Sequence, residues 1–202
     1  MLAGITDLKC NTVAENQHRF QYAADQQVWV FGYGSLIYKV DFPFIESRPA
    51  SIDGWMRRFW QGSHDHRGNL QNPGRVVTLI EESNAICTGI AYLVEASVFE
   101  QLDVREKNGY LRLLTEITFA DGAKSECLVY IATPDNEAFL GDADDEMIAE
   151  QILTACGESG ENREYLLKLA NALRSLKVED PHVFNLETHL KRLIEIEWEQ
   201  TQ

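Results

Sequence analysis

Hydrophobic residues in the first two thirds of the chain fall into short β-branched and aromatic runs separated by polar turns. Runs of this length, bounded by Gly, Asp and Asn, are typical of β-strands. The pattern predicts strands at Val28–Phe31, Ala50–Trp60, Val76–Leu79, Ala85–Leu93, Leu111–Phe119 and Ser125–Ile131. Asp121-Gly122 predicts a tight hairpin turn between the last two of these strands.

The remainder of the chain has apolar residues at helical spacing, as in Leu166, Leu169 and Leu173. This spacing predicts helices at Glu95–Arg105, Asp144–Cys156, Glu161–Leu176 and Asn185–Gln200. Strands followed by helices indicate an α+β protein. We expect a small mixed sheet that curls or partly closes into a β-barrel, with the helices flanking it.

The first 27 residues are polar and weakly patterned. We expect them to form an N-terminal extension, partly helical around Ala14 to Ala24, that lies outside the core of the protein. Residues 28–202 then form one domain, which is long enough to bury a sizeable core.

The chain carries a formal net charge of −14. Such a charge repels phosphate backbones and anionic membranes, so we expect neither nucleic acid nor a membrane as a partner. Five arginines nevertheless fall between Arg48 and Arg75. They either contact an anionic small molecule or pair with carboxylates inside the fold, and both interpretations stay open.

The cysteines form no C-x-x-C pair and have no histidine at zinc-finger spacing. The chain begins with no signal-peptide pattern and holds no apolar stretch of about 18 residues. We therefore expect a cytoplasmic protein with reduced cysteines. His64-Asp65-His66 lacks a third ligand and is better explained as a polar loop, so we expect no metal.

The segment Phe31-Gly32-Tyr33-Gly34-Ser35-Leu36-Ile37 resembles several glycine motifs without satisfying any of them. It lacks the third glycine of a dinucleotide site, the lysine of a phosphate loop and the flanking glycines of a nucleophile elbow. What remains is a strand that ends in a tight turn. The N–H groups of such a turn either bind a carboxylate or simply reverse the chain.

Glu106 stands where the predicted helix ends and the chain turns at Asn108-Gly109. A carboxylate at such a junction either lies in a cleft, where desolvation raises its pKa towards that of a useful base, or belongs to a solvated charged turn.

Several segments taken together resemble the ChaC-like family of glutathione-specific γ-glutamylcyclotransferases. The segments are Val30–Ile37, Gly54–Ser63, Asp65–Gly68, Pro73–Leu79, Val104–Tyr110, Ser159–Leu166 and Asp180–Phe184. The resemblance extends from Val28 to about Leu193. It implies the γ-glutamylcyclotransferase-like fold and a lyase that converts glutathione into 5-oxoproline and Cys-Gly without a cofactor or an obligate protein partner.

The resemblance also implies roles for individual residues. Glu106 would be the general acid and base, and the turn Tyr33-Gly34-Ser35-Leu36 would hold the α-carboxylate of the γ-glutamyl group. Tyr110 and Tyr165 would contribute hydroxyl groups, although Tyr165 also fits simple packing. The glycyl carboxylate of glutathione would meet Arg75 and Arg58.

Tyr38, Val40 and His64 depart from the family pattern and bear on substrate preference more than on the reaction. The alternatives are a cyclotransferase for other γ-glutamyl amino acids or amines, and a non-catalytic ligand sensor linked to ion transport. An acidic interaction protein is a third alternative, but it does not explain the glycine turn.

Overall fold

Five strands close into a barrel in the computed structural model, which describes residues 11–201. Neighbouring strands follow the order β1-β3-β2-β4-β5, and the barrel closes where β1 and β5 pair in parallel at Val30 and Leu128. The other neighbouring pairs are antiparallel. The strands are β1 (Gln27–Gly32), β2 (Glu46–Ser63), β3 (Gly74–Glu95), β4 (Tyr110–Phe119) and β5 (Lys124–Ala132). The predicted mixed sheet is confirmed, and the expected curling or partial closure is a closed barrel.

The two strands predicted at Val76–Leu79 and Ala85–Leu93 are one continuous strand, β3. Opposite the gap between them, Asp53 of β2 pairs with Ile86 whereas Trp55 pairs with Glu81, so the register shifts around Gly54. Gly54 has a φ of +81°, which favours glycine. Because residues 82–85 are opposite this irregularity, they lose the apolar alternation of a strand and resemble a loop in the sequence.

The predicted helices are confirmed in type; their starts are shifted, whereas the predicted ends at Arg105 and Gln200 are matched. The helices are α2 (Phe99–Arg105), α3 (Asp145–Thr154), α4 (Asn162–Ser175) and α5 (Pro181–Gln200). Helix α5 begins four residues before its predicted start because the Asp180 side chain accepts a hydrogen bond from the Val183 N–H and Pro181 occupies the first turn. A short hairpin precedes α4 and was not predicted. Its two antiparallel strands, β6 (Cys156–Gly157) and β7 (Gly160–Glu161), have two residues each.

The barrel interior and the helices α3, α4 and α5 share one hydrophobic core. Phe31, Ile52 and Ile117 are fully buried in it, and burying each such side chain contributes about 1.5–3 kcal/mol. A second cluster covers the outer face of β1 and β5 with α2 and the turn at Ala96–Val98. The two cores fix the end of β1 and the end of α2, which carry the residues singled out in the sequence.

A short helix, α1 (Val13–Arg19), lies in the predicted N-terminal extension. Residues 1–10 of that extension lie outside the described residues. Asn16 is fully buried, and its side-chain Nδ2 donates to the carbonyl of Tyr110 at 2.9 Å. Helix α1 therefore packs against the start of β4, which its polar sequence did not reveal. The division of the chain at residue 27 stays a prediction.

Candidate active site

Glu106 lies where two adjoining pockets meet, and both pockets are also lined by Ser35, Tyr110 and Tyr165. One, the turn pocket, is formed largely by the residues that follow β1, including Gly34. The other, the charged pocket, is lined by ionisable side chains: Lys39, Asp41, Asp65, His66, Arg67 and Arg105. The structure thus brings together the predicted acid and the predicted turn.

The turn after β1 approaches its neighbours more closely than a side chain at residue 34 permits. A Cβ added at Gly34 would lie 2.8 Å from Val77 Cγ2 and 3.0 Å from Tyr165 Oη. The chain then forms a single 3-10 turn at Ser35–Ile37. Ser35 and Leu36 are the first residues of this turn, so their N–H groups have no carbonyl partner within it. These groups are available to an anion in the turn pocket.

Arg57 anchors the turn from inside the fold. Its Nε donates to the carbonyl of Tyr33 at 2.6 Å, a second guanidinium nitrogen donates to the carbonyl of Thr88 at 2.8 Å, and the third pairs with Asp180. The side chain is buried, and a buried charge is tolerated only when it is paired and hydrogen-bonded in this way. The sequence showed Arg57 only as one of five similar arginines.

Glu106 follows directly after α2, and its N–H donates to the carbonyl of Leu102 at 2.8 Å. Its side chain is 18% exposed. Burial raises the pKa of Glu106 above its usual range; Arg105 and His66 oppose this effect, while Asp41 and Asp65 add to it. A desolvated carboxyl with a raised pKa suits proton transfer near neutral pH.

Arg105 connects Glu106 to the turn, a role that sequence reasoning missed. Its Nε lies 3.3 Å from Glu106 Oε1, and one terminal nitrogen donates to Ser35 Oγ at 2.9 Å. The other terminal nitrogen pairs with Asp41. Its place beside Glu106 at the end of α2 is the only sequence signal for this arrangement.

The three predicted tyrosines differ in how their hydroxyl groups are used. Tyr33 donates to the carbonyl of Tyr130 and Tyr110 donates to the carbonyl of Val77, each at 2.7 Å. Tyr165 Oη accepts from the Val77 N–H at 3.4 Å, and its own proton meets no acceptor among residues 11–201. Burial raises the pKa of Tyr165, so the hydroxyl stays protonated. Tyr165 is therefore the tyrosine that is free to donate in the pocket.

Arg75 and Arg58, expected at the glycyl carboxylate, line neither pocket. Arg75 donates to Gln151 Oε1 at 2.7 Å and to two backbone carbonyls, so its side chain holds β3 against α3. Arg58 donates to the carbonyl of Arg57 at 2.8 Å. Arg67 lines the charged pocket instead; its side chain is 8% exposed, and one terminal nitrogen donates to the carbonyl of Glu161.

Between residues 11 and 201, no three His, Cys, Asp or Glu side chains are grouped so as to hold a metal ion. His66 lines the charged pocket, where its Nδ1 lies 2.9 Å from Ser159 Oγ. No helix in this part of the chain has the length and apolar character needed to cross a membrane.

Known proteins similar to this chain cover most of its length. The family model described as ChaC-like protein matches residues 28–193. The glutathione-specific γ-glutamylcyclotransferase 1 of Danio rerio is 45% identical over 179 residues, covering 83% of this chain and 91% of the relative. The γ-glutamylcyclotransferase 2-3 of Arabidopsis thaliana is 43% identical, covering 83% and 90%. A crystal structure of a yeast γ-glutamylcyclotransferase specific to glutathione superposes with a TM-score of 0.77 at 31% identity, covering 82% of this chain and 96% of that chain.

Proposed function

This chain belongs to the ChaC-like family, and we propose that it is a glutathione-specific γ-glutamylcyclotransferase that yields 5-oxoproline and Cys-Gly. The names of its relatives support the substrate and the reaction. The observation that carries the mechanism is the largely buried Glu106 carboxyl, with its raised pKa, in a pocket that it shares with the glycine turn.

The reaction needs no nucleophile from the protein, because the α-amine of the substrate attacks its own γ-carbonyl carbon. A C–N bond forms to close the five-membered lactam, and the original amide C–N bond breaks. The attacking nitrogen loses two protons, one from the α-ammonium before the attack and one as the lactam forms. Glu106 takes each proton and passes it to the departing nitrogen of Cys-Gly, which leaves as an ammonium ion. Holding the amine near the carbonyl accelerates such a ring closure through proximity.

The turn pocket fits the γ-glutamyl end of the substrate. The N–H groups of Ser35 and Leu36 receive the α-carboxylate, while Tyr33 and Gly34 shape the turn that presents them. Tyr165 Oη donates to the oxygen of the γ-carbonyl as negative charge develops on it. Tyr110 lines the same pocket, but its hydroxyl donates to the carbonyl of Val77 and is therefore not available to the substrate as a donor.

The charged pocket fits the Cys-Gly end. Lys39 and Arg67 line it and are the cations available for the glycyl carboxylate, in place of Arg75 and Arg58. Because Arg105 is already engaged by Ser35, Asp41 and Glu106, we assign Arg67 the main contact.

We also place the protein in the cytoplasm, with glutathione as its small-molecule partner. The described cysteines Cys87, Cys127 and Cys156 are free thiols, as expected in a reducing compartment. The proposal requires no cofactor, nucleic acid, membrane or obligate protein partner.

Release of 5-oxoproline and Cys-Gly from glutathione tests the function, with γ-glutamyl-alanine at equal concentration as the competing substrate class. Glu106→Gln keeps the side-chain shape but removes the base, so we expect kcat to fall by about 10²–10⁴-fold. Glu100→Gln, on the exposed surface of α2, is the matched control. Near-normal turnover by Glu106→Gln contradicts the assignment of Glu106 as the base. Higher activity on γ-glutamyl-alanine than on glutathione contradicts the substrate specificity. Binding of glutathione without formation of product indicates a ligand sensor instead of an enzyme.

A further inference from the structure

The segment that carries Glu106 into β4, residues 106–110, is held by a residue from the N-terminal extension. The N–H of Thr12 donates to the carbonyl of Lys107 at 3.0 Å. The hydroxyl of Thr12 lies 2.8 Å from the carbonyl of Tyr110 and 3.2 Å from that of Lys107. We call residues 106–110 the Glu106 loop. Thr12 thus contacts this loop next to Glu106, at Lys107, and at its far end, at Tyr110.

Asn16 continues this contact along the edge of β4. Its Nδ2 donates to the carbonyl of Tyr110 at 2.9 Å, and its Oδ1 accepts from the N–H of Arg112 at 2.8 Å. On that side, β2 pairs with β4 only at the far end of the strand, through Ala50 and Ser51. The carboxamide of Asn16 therefore takes the place of a neighbouring strand at the start of β4, where unpaired backbone groups would be costly to bury.

The opposite side of the Glu106 loop is fixed by the barrel. Gln61 Nε2 donates to the carbonyl of Asn108 at 2.9 Å, and Asn108 Nδ2 donates to the carbonyl of Gly62 at 2.7 Å. Gly109 has a φ of +89°, and a Cβ there would lie 2.5 Å from Asn136 Oδ1. With β2 on one side, Thr12 and, from α1, Asn16 supply the contacts on the other.

We propose that Thr12 and Asn16 are positioning residues that hold the Glu106 loop so that the carboxyl of Glu106 stays in the turn pocket. The inference rests on the proposed role of Glu106. A misplacement of about 1 Å of a reacting group can cost on the order of 10²-fold in rate, so contacts on the loop itself are expected to act on turnover. Both residues precede residues 28–193, the range that the family model matches.

Thr12→Val tests this assignment because it keeps the shape of the side chain and removes the hydroxyl. We expect kcat for glutathione to fall about 10-fold with KM changed less than about 2-fold, since the substrate contacts are untouched. Amide hydrogen exchange in residues 107–112 should become faster. Thr12→Ser restores the hydroxyl and should recover most of kcat. Glu15→Gln, exposed on α1 and paired with Arg19, is the control and should behave as the wild type.

Asn16→Ala provides a second test, made at a temperature where thermal unfolding shows every variant fully folded. Faster exchange in residues 107–112 together with a selective loss of kcat supports the inference in both series. Unchanged exchange, or faster exchange with unchanged kcat, overturns it. If the wild-type protein releases no 5-oxoproline, the proposed function fails, and the exchange data alone then decide whether Thr12 and Asn16 hold the loop.

Discussion

The guanidinium of Arg105 lies 3.3 Å from the carboxylate of Glu106, the next residue in the chain. The same guanidinium donates to Ser35 in the turn and pairs with Asp41. One side chain therefore connects the proposed base to the proposed binding turn. Because it is a cation, it also opposes the effect of burial on the pKa of Glu106.

The first prediction concerns the acidic limb of the pH–rate profile. Replacing Arg105 with Gln removes a positive charge that lowers the pKa of Glu106. Of the other charged neighbours, His66 also lowers this pKa, and Asp41 and Asp65 raise it; all three are unchanged in the variant. The pKa should rise, and the acidic limb of kcat/KM for glutathione should move to higher pH. Arg105→Lys keeps the charge and should move the limb less. A limb that moves to lower pH in Arg105→Gln contradicts the assignment of Glu106.

The second prediction concerns Gly34. Gly34→Ala places a Cβ 2.8 Å from Val77 Cγ2, so the turn must shift in the pocket that receives the substrate. We expect KM for glutathione to rise by roughly 10-fold or more, because a shifted turn no longer presents its N–H groups correctly. Adding Val77→Ala removes the obstructing methyl group and should recover part of the affinity, with Val77→Ala alone as control. An unchanged KM in Gly34→Ala argues against binding at this turn.

The third prediction separates Arg67 from Arg75. A hydrogen bond to a charged group contributes about 1.5–3 kcal/mol, so Arg67→Met should raise KM for glutathione by about 10- to 100-fold. The C-terminal amide of glutathione lacks the glycyl carboxylate, and its KM should change little in this variant.

Arg75→Met serves as the contrasting variant. Its hydrogen bonds hold β3 against α3, so the change should lower Tm, by about 2–4 °C for each kcal/mol lost, without altering the preference for glutathione over the amide. Loss of that preference in Arg75→Met but not in Arg67→Met reverses the assignment.

The sequence located the turn and the helix end at Glu106 because their signals are local, whereas the roles of these residues were implied only by the family resemblance. A strand that ends in glycines and an acid at the end of a helix are both visible within a few residues. The α+β class and the closed sheet followed from the apolar patterns for the same reason. The middle of β3, residues 82–85, was missed because a register shift interrupts the alternation on which strand prediction depends.

The arginines could not be ranked from the sequence. Arg57, Arg67 and Arg75 are all buried, but their partners are residues distant in the chain: Asp180, Glu161 and Gln151. Which of them faces a pocket depends on tertiary contacts alone. Asn16 escaped notice for a similar reason, because a polar residue in a polar segment gives no sign that it completes a strand edge.

The last prediction concerns stability and follows from the raised pKa of Glu106. An unfolded Glu has a pKa of about 4.3, so between that value and the folded value the folded protein holds a proton that the unfolded chain has lost. Stability of the wild type therefore falls as pH rises through this window. Glu106→Gln has no proton to lose, so its Tm minus that of the wild type should be larger at pH 7 than at pH 3, by about 2–4 °C for each kcal/mol relieved. Thermal unfolding from pH 3 to pH 8 measures this difference in Tm, with Glu100→Gln as the exposed control. If the difference instead shrinks towards pH 7, the pocket stabilises the charged carboxylate, and Glu106 is a weaker base than proposed.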